Sequence, residues 1–376
     1  MNERDPQPLV QVPAAGGSVK RGYVRALDFK HGRVDLSHGS GGRAMAQLID
    51  ELFARAFAND WLAQGNDGTV LPQLAPGERP VLATDAHVVS PLFFPGGDIG
   101  CLCVHGTVND LAVMGARPLY LAASFILEEG FALAELKRIV DSMAAAAREA
   151  GVPVVTGDTK VVEQGKGDGV FITTTGFGAL PPKRDLGGAN ARPGDVVLVS
   201  GAIGDHGMAI MSQRESLAFD TEIVSDTAAL HGLAQAMLAA VPSSAELGDP
   251  ARGLRVLRDP TRGGLATTLN EIATQSVVGV MLDERAIPVH AQVGAACEFL
   301  GLDPLYVANE GKLVAICAQP DADALLAAMR AHPLGAEAAI IGEVVEDPQH
   351  FVQMKTGFGG RRIVDWLTGE QLPRIC

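Results

Sequence analysis

Cysteine is sparse in this sequence of 376 residues: Cys101, Cys103, Cys297, Cys317 and Cys376, an odd number without a CxxC pair. A disulfide framework and a zinc site of Cys ligands are both excluded, and a reducing cytoplasm is the expected setting. Basic charge is also short, with 30 Lys and Arg against 44 Asp and Glu and a formal net charge of -14. Such a chain repels phosphate backbones, which argues against general nucleic-acid binding. A single phosphorylated ligand held by backbone amides and metal ions stays compatible with it. No long apolar run exists: the most apolar stretch, residues 101–127, is interrupted by His105, Asn109, Asp110 and Arg117, so no membrane span is expected. The start, Met-Asn-Glu-Arg-Asp-Pro, has no apolar core for secretion. The nine histidines form no HExxH or HxxEH motif, and neither the P-loop nor the dinucleotide fingerprint occurs.

What the chain has in quantity is glycine, 44 residues against three Tyr and two Trp. Many tight turns follow, where backbone approaches backbone or ligand. Hydrophobic content of 47% with 20% charged residues is globular, and the length suggests two or three domains. Residues 1–34 lack periodicity and read as a mobile extension. A helix is expected after the run Ser37-His38-Gly39-Ser40-Gly41-Gly42, with apolar Met45, Leu48, Ile49, Leu52, Phe53 and Ala56 at helical spacing. Strands are expected near 80–84, 119–127, 152–156 and 170–179, and helices at 104–114 and 136–147, the second ended by Gly151. Pro and Gly cluster over 181–194, the expected domain boundary. The second half predicts helices near 226–240, 263–275 and 321–331, and strands near 195–200, 278–282, 312–318 and 338–345. Domains over 35–182 and 193–350 follow, with a flexible tail over 351–376 that carries Cys376.

Four aspartates stand beside turn formers, each expected at a strand end or helix start: Asp85, Asp110, Asp158 and Asp259. Carboxylates converging from several loops suit Mg²⁺, which keeps waters and bridges phosphate oxygens. Any one of them alone reads equally as a cap or turn residue; the set carries the argument. Glycine turns at 39–42, 201–207 and 263–264 offer backbone amides to anions, or are ordinary turns. Lys160 follows Asp158 and Thr159 after an apolar run, and Glu310 lies between apolar strands. Each is a candidate for proton or charge handling, or a surface charge. His38 and His105 fall inside motifs. A thiol at position 376 is a mobile nucleophile and group acceptor, unless it is incidental.

The motifs occur in a fixed order: Leu36-Ser37-His38-Gly39-Ser40-Gly41-Gly42, Thr84-Asp85, Pro95-Gly96-Gly97-Asp98, Thr107-Val108-Asn109-Asp110, Thr156-Gly157-Asp158-Thr159-Lys160, Asp259-Pro260-Thr261-Arg262-Gly263-Gly264, Ala308-Asn309-Glu310-Gly311 and Pro373-Arg374-Ile375-Cys376. Over residues 36–376 the set resembles the HypE family of hydrogenase maturation proteins. That family lies within the superfamily of aminoimidazole ribonucleotide synthetase and selenophosphate synthetase. The resemblance implies an α/β (α+β) protein: two domains of the aminoimidazole ribonucleotide synthetase-like fold and a flexible C-terminal tail. It implies ATP-dependent dehydration of a carbamoyl group on Cys376 to a thiocyanate, the cyanide source for nickel–iron hydrogenase assembly. HypF would donate the carbamoyl group and a HypC–HypD complex would accept the cyanide. ATP and Mg²⁺ are the implied cofactors, with Asp85, Asp110 and Asp259 as metal ligands. His38, Gly39, Ser40, Gly41, Gly42, Asn109, Asp158 and Thr159 would hold the nucleotide. Glu310 would take the N–H proton and Lys160 would orient the carboxamide oxygen. The N-terminal half is expected to form a homodimer. Ala86 stands where many relatives carry Ser, and the first 35 residues match no family segment. Two rival readings fit the Asp and Gly motifs: a small-molecule kinase or ligase of the superfamily, and a nucleotide-gated scaffold.

Overall fold

The computed structural model describes residues 25–64, 68–215, 222–368 and 374–375. Cys376 lies outside the described residues. Residues 25–34, read as part of the extension, lie against the body: Val34 is 1% exposed and its backbone bonds Phe131 and Gly130.

Asp35 caps a 3₁₀ turn, Leu36–Gly39, by accepting from the Ser37 amide. The single helix expected beyond it is broken into α1 (Arg43–Leu48), a π-helical turn (Ile49–Phe53) and α2 (Ala54–Ala56). β1 (Arg79–His87) follows, then a hairpin of β2 (Phe93–Phe94) and β3 (Gly97–Asp98). α3 (Ile99–Val113) begins five residues before its expected start because Asp98 caps it, accepting from the amides of Gly100 and Cys101. β4 (Arg117–Glu128), α4 (Leu133–Ala150), β5 (Val154–Val162) and β6 (Val170–Leu180) complete this half. Gly151 ends α4 in the left-handed region, φ 67°, where its lack of Cβ costs nothing. The strands run in the order β1-β6-β4-β5, antiparallel except for β4 with β5.

One face of that sheet is covered by α3 and α4. Leu121, Leu127 and Ile172 from the sheet, Leu102 and Val108 from α3, and Leu136, Ile139 and Met143 from α4 are all 0% exposed. Among the described residues the opposite face is open, and Leu82 at 71% and Ile126 at 40% exposure lie on it.

The second half adds β7 (Val196–Val199), α5 (Asp205–Arg214), α6 (His231–Ala240), α7 (Ser244–Leu247), β8 (Leu254–Arg258), α8 (Gly264–Ser276), β9 (Gly279–Asp283), α9 (Ala291–Leu300), β10 (Val314–Cys317), α10 (Ala322–Ala331), β11 (Ala339–Val345), β12 (Val352–Lys355) and β13 (Arg361–Ile363). Its seven strands run β13-β12-β9-β11-β7-β10-β8, with β12 and β9 the parallel pair. The segment 351–364, read as tail, thus supplies two strands. Val352, Met354 and Val364 are at most 1% exposed, so alternation into the core holds them there. A buried ion pair, Asp195 with Arg255 at 2.8 Å, fastens the start of this half to β8.

The halves share a core. Ile210 of α5, Ala308 and Ile375 pack into the cluster built by Val89, Phe94 and α3, and Ala112 and Val113 of α3 pack with α6. No helix among the described residues is long and apolar enough to cross a membrane.

Candidate active site

Three of the four aspartates stand elsewhere than at the turns expected for them. Asp85 lies inside β1, Asp110 in the last turn of α3 and Asp158 inside β5; Asp259 alone directly follows a strand, β8. The strand β5 runs on through Thr-Gly-Asp-Thr because Gly157 carries no side chain: a Cβ there would stand 2.4 Å from the Ala123 carbonyl oxygen.

Asp85, Asp110 and Asp259 nonetheless interact. Gly106, one helical turn before Asp110, lets α3 close on β1, since a Cβ at 106 would meet His87 Nε2 at 2.9 Å and Asp85 Oδ2 at 3.2 Å. Burial pushes the Asp110 carboxyl up to about 7, and the negative charges of Asp259 and Asp85 add to the rise. Burial likewise raises Asp259 to about 6. Asp85 would also rise by burial, but the bond and charge of His87 outweigh it and hold the carboxyl below its ordinary value. His87 is 1% exposed with Nε2 3.2 Å from Asp85 Oδ2. It anchors Asp85 and was missed by the sequence reading, although it follows Asp85 at the alternate strand position that shares its face.

Among the described residues no group of three or more His, Cys, Asp or Glu closes on one point to hold a metal ion. Three mutually repelling, partly exposed carboxylates fit a cation that completes its shell with water and phosphate oxygens, the habit of Mg²⁺.

Glu310 is 3% exposed and sits in the loop before β10. Its amide donates to Asp226 Oδ1 (3.1 Å) and its carbonyl accepts from Asn109 Nδ2 (3.1 Å). Asn109 also donates to the Ala228 carbonyl and accepts from the Leu230 amide. Its amide group is therefore committed to tying α3 to the second half. Asn309 is the second clasp: its side chain donates to Pro260 O (2.9 Å) and accepts from the Gly204 amide (2.7 Å). The loops at 204, 260 and 309 are thereby joined, and the glycine turns at 201–207 and 263–264 become parts of one scaffold. Burial would raise Asp226, but Lys312 at 3.0 Å outweighs it and keeps the carboxyl low. His105 Nδ1 lies 3.0 Å from Thr227 Oγ1, on the same interdomain seam.

The remaining candidates gather at the far edge of the first sheet. The 3₁₀ turn packs on β5, since a Cβ on Gly39 would lie 2.6 Å from the Val161 amide nitrogen. His38 is buried, and its Nδ1 accepts from the Asp35 amide, which makes it a cap of this turn. Ser40 bonds the Ser37 carbonyl, Gly41 takes φ 78° and Gly42 leads α1. Asp158 and Lys160 are paired at 3.0 Å and both exposed, whereas Thr159 is buried. A cleft of about 320 Å³ opens beside them, walled by Met45, Ile49, Phe53 and Phe125.

The two groups do not meet within one chain. Register runs from Asp85 through Thr174 and Ala123 to Gly157, so the groups stand three strand spacings apart, about 14 Å. They also use opposite faces. Asp85 shares the helix side with buried His87, while Asp158 and Lys160 pair with Ser124 and Ile126 on the open side.

The last described residues reach the seam. Ile375 is 3% exposed, forms a bridge with Val89 and accepts from His206 Nε2 at 2.8 Å.

Two α/β halves that share a group of interacting aspartates, Asp85, Asp110 and Asp259, define an AIR synthase related protein. The N-terminal domain pattern of that family matches residues 65–180 and the C-terminal domain pattern residues 192–355. Within it, the chain belongs to the HypE family. It is 71% identical over 360 residues to the carbamoyl dehydratase HypE of Cupriavidus necator, 96% of this chain and 99% of the relative. A crystal structure of the hydrogenase maturation protein HypE in complex with ATP is 49% identical, with a TM-score of 0.84 over 91% of this chain and 99% of that one. HypE in a HypE–HypF complex, also 49% identical, gives a TM-score of 0.72 over 85% of this chain and 99% of that one.

Proposed function

We propose that this chain is a cytoplasmic, ATP-dependent carbamoyl dehydratase of hydrogenase maturation that converts an S-carbamoyl group on Cys376 to a thiocyanate. HypF supplies the carbamoyl group, and a HypC–HypD complex takes the cyanide. The observation that carries the reading is the seating of Arg374 and Ile375 in the interdomain seam, against the segments that hold Glu310. The near full-length likeness to carbamoyl dehydratases supports it.

An amide oxygen leaves poorly. Transfer of the ATP γ-phosphoryl group to it makes the leaving group phosphate. The C–O bond then breaks as the nitrogen lone pair forms C≡N, and both N–H protons depart. Glu310, in a nearly water-free position, accepts one of them, and the departing phosphate takes the other. Asp85, Asp110 and Asp259 would hold Mg²⁺, which when bound neutralises phosphate charge and aligns the transfer. The amides of Gly39, Ser40, Gly41 and Gly42, with His38 as their cap, cover phosphates; Asp158 and Thr159 contact the nucleotide, whose base the neighbouring cleft has the size to take. Asn109 holds the Glu310 loop in place.

The split between sheet edges supports a homodimer. A second copy laid on the open face, over Leu82 and Ile126, with its β5 edge against the free edge of β1, would bring its own Lys160 and Asp158 around that edge toward the aspartates of the first. Lys160 then orients the carboxamide oxygen in the partner's site. Residues 35–182 form the nucleotide and dimer domain, residues 193–350 the second domain, and the last residues carry the thiol.

The test is a mass spectrum of the C-terminal peptide after incubation with HypF, carbamoyl phosphate and Mg-ATP. The expected result is a carbamoyl adduct on Cys376 that loses one water only when this chain's own ATP site is filled. An unmodified Cys376 throughout would leave the superfamily kinase reading in its place.

A further inference from the structure

The helix α5 takes no part in the chemistry above, yet both its ends hold the C-terminal segment. His206, in its first turn, is 0% exposed, and both ring nitrogens are engaged. Nε2 lies 2.8 Å from the Ile375 carbonyl oxygen and Nδ1 2.7 Å from Ser225 Oγ. The carbonyl can only accept, so Nε2 carries the hydrogen and Nδ1 accepts from the Ser225 hydroxyl. Ser225 Oγ in turn accepts from the Thr227 amide at 3.2 Å, which closes the chain. Arg214, the last residue of α5, donates to the Ser90 carbonyl through Nε (3.0 Å) and Nη2 (2.6 Å), and to the Arg374 carbonyl through Nη2 (2.9 Å). The Ser90 amide donates to that same Arg374 carbonyl at 3.1 Å.

We propose that His206 and Arg214 are positioning residues that set the register of the C-terminal segment by gripping the carbonyls of residues 374 and 375. The grip acts on backbone. It is therefore indifferent to whether the thiol of residue 376 is bare, carbamoylated or cyanylated, and it serves every stage of the reaction. Arg374 takes φ 51°, a left-handed turn that costs a non-glycine residue about 1 kcal/mol, so the bend persists only while these bonds hold it. Burying Ile375 in the cluster of Val89, Phe94 and Ile210, and the exposed ion pair of Arg374 with Asp168 at 2.5 Å, supply the remaining hold. The register is also referenced to the proposed base. Ser225, which anchors His206, adjoins Asp226, which accepts from the Glu310 amide. A one-residue slip of the segment would leave the His206 donor buried without an acceptor, a penalty that selects the seated register.

The inference rests on Cys376 as the carrier, and the test separates the two. The full-length chain with bound Mg-ATP is treated with iodoacetamide, and alkylation of residue 376 is timed by mass spectrometry. The carbamoylated chain is followed separately through a single turnover. His206→Leu is expected to alkylate about tenfold faster and dehydrate about tenfold more slowly, the effect of one lost buried bond, with ATP affinity within about twofold of the parent. His206→Gln, whose terminal N–H reaches the same carbonyl, should recover most of both rates. Arg214→Gln, at a partly exposed site, should move both rates the same way and stands in if the leucine variant does not fold. Parent-like alkylation and turnover in His206→Leu would overturn the proposal. So would equal damage in the Leu and Gln variants with ATP affinity lost alongside. Alkylation needs no carbamoyl chemistry, so a parent chain that never gains a carbamoyl group discards the carrier reading, and with it the role in turnover, while the alkylation rates still decide whether His206 and Arg214 grip residues 374 and 375.

Discussion

Single residues decide how closely the loops of the site can approach. Gly264 begins α8 at φ 61°, and a Cβ there would stand 2.5 Å from the Leu305 carbonyl oxygen and 2.6 Å from that of Val307. Both atoms are backbone and cannot rotate away. Gly264→Ala should destabilise the chain by about 3 kcal/mol, combining left-handed strain with overpacking. Urea unfolding followed by circular dichroism reads this directly, and a loss below about 1 kcal/mol would refute the argument. The glycine pair was visible in the sequence as a turn before a helix. Its purpose was not, because the two carbonyls that forbid a side chain come from some forty residues downstream. The same limit hid Asn309, legible only as a neighbour of Glu310. Its hydrogen bonds to residues 204 and 260 are products of the fold.

Elements were legible where one apolar period ran unbroken. The helix α4 shows its buried face as Leu136, Ile139, Val140 and Met143, and Gly151 marks its end. Readings went astray where local composition opposed tertiary demand. Asp158 looked like a turn residue but is strand, because β5 gains a full ladder along β4. The segment 351–364 looked like tail because glycines and charges separate its short strands. Two adjoining segments, 225–230 and 308–312, carry no regular structure at the seam, and the ion pair of Asp226 with Lys312 holds them together. Asp226 has a lowered carboxyl in the folded chain. Its contribution is thus present above the ordinary value of 3.8 and is lost as pH falls through the folded-state value. Asp226→Asn should cost about 3 kcal/mol at neutral pH by stranding the half-buried lysine. The gap between the two proteins should begin to narrow below about pH 4 and close only below the lowered folded-state value, as the parent loses the same charge. Denaturant titrations at pH 7 and pH 3 check it; a gap of equal size at both would show that the pair contributes nothing through ionisation.

At the scale of the whole molecule, the open sheet face and the divided site are one problem. A sheet with Leu82 and Ile126 uncovered presents apolar area to water, and a second copy would remove it. The sequence offered all the proposed catalytic residues without showing that strand order sets Lys160 and Asp85 at opposite edges, since order is a property of pairing and not of any one strand. If Lys160 serves the partner's site, defects in different copies must complement. Lys160→Ala and Glu310→Gln should each abolish dehydration alone. Mixed after mild dissociation and reassociation, half of the dimers pair one chain of each kind. Each such dimer joins an intact Glu310 on one chain to an intact Lys160 on the other at one of its two sites. About a quarter of the parent activity should return, the share that two-fold symmetry allows for random pairing. Leu82→Asp added to both chains would put a charge on the shared face, and the recovered activity should vanish with the dimer in light scattering. No recovery from a mixture shown to contain mixed dimers would mean that Lys160 acts on its own chain. Reaching the aspartates from the far edge of the sheet would then require the first domain to rearrange.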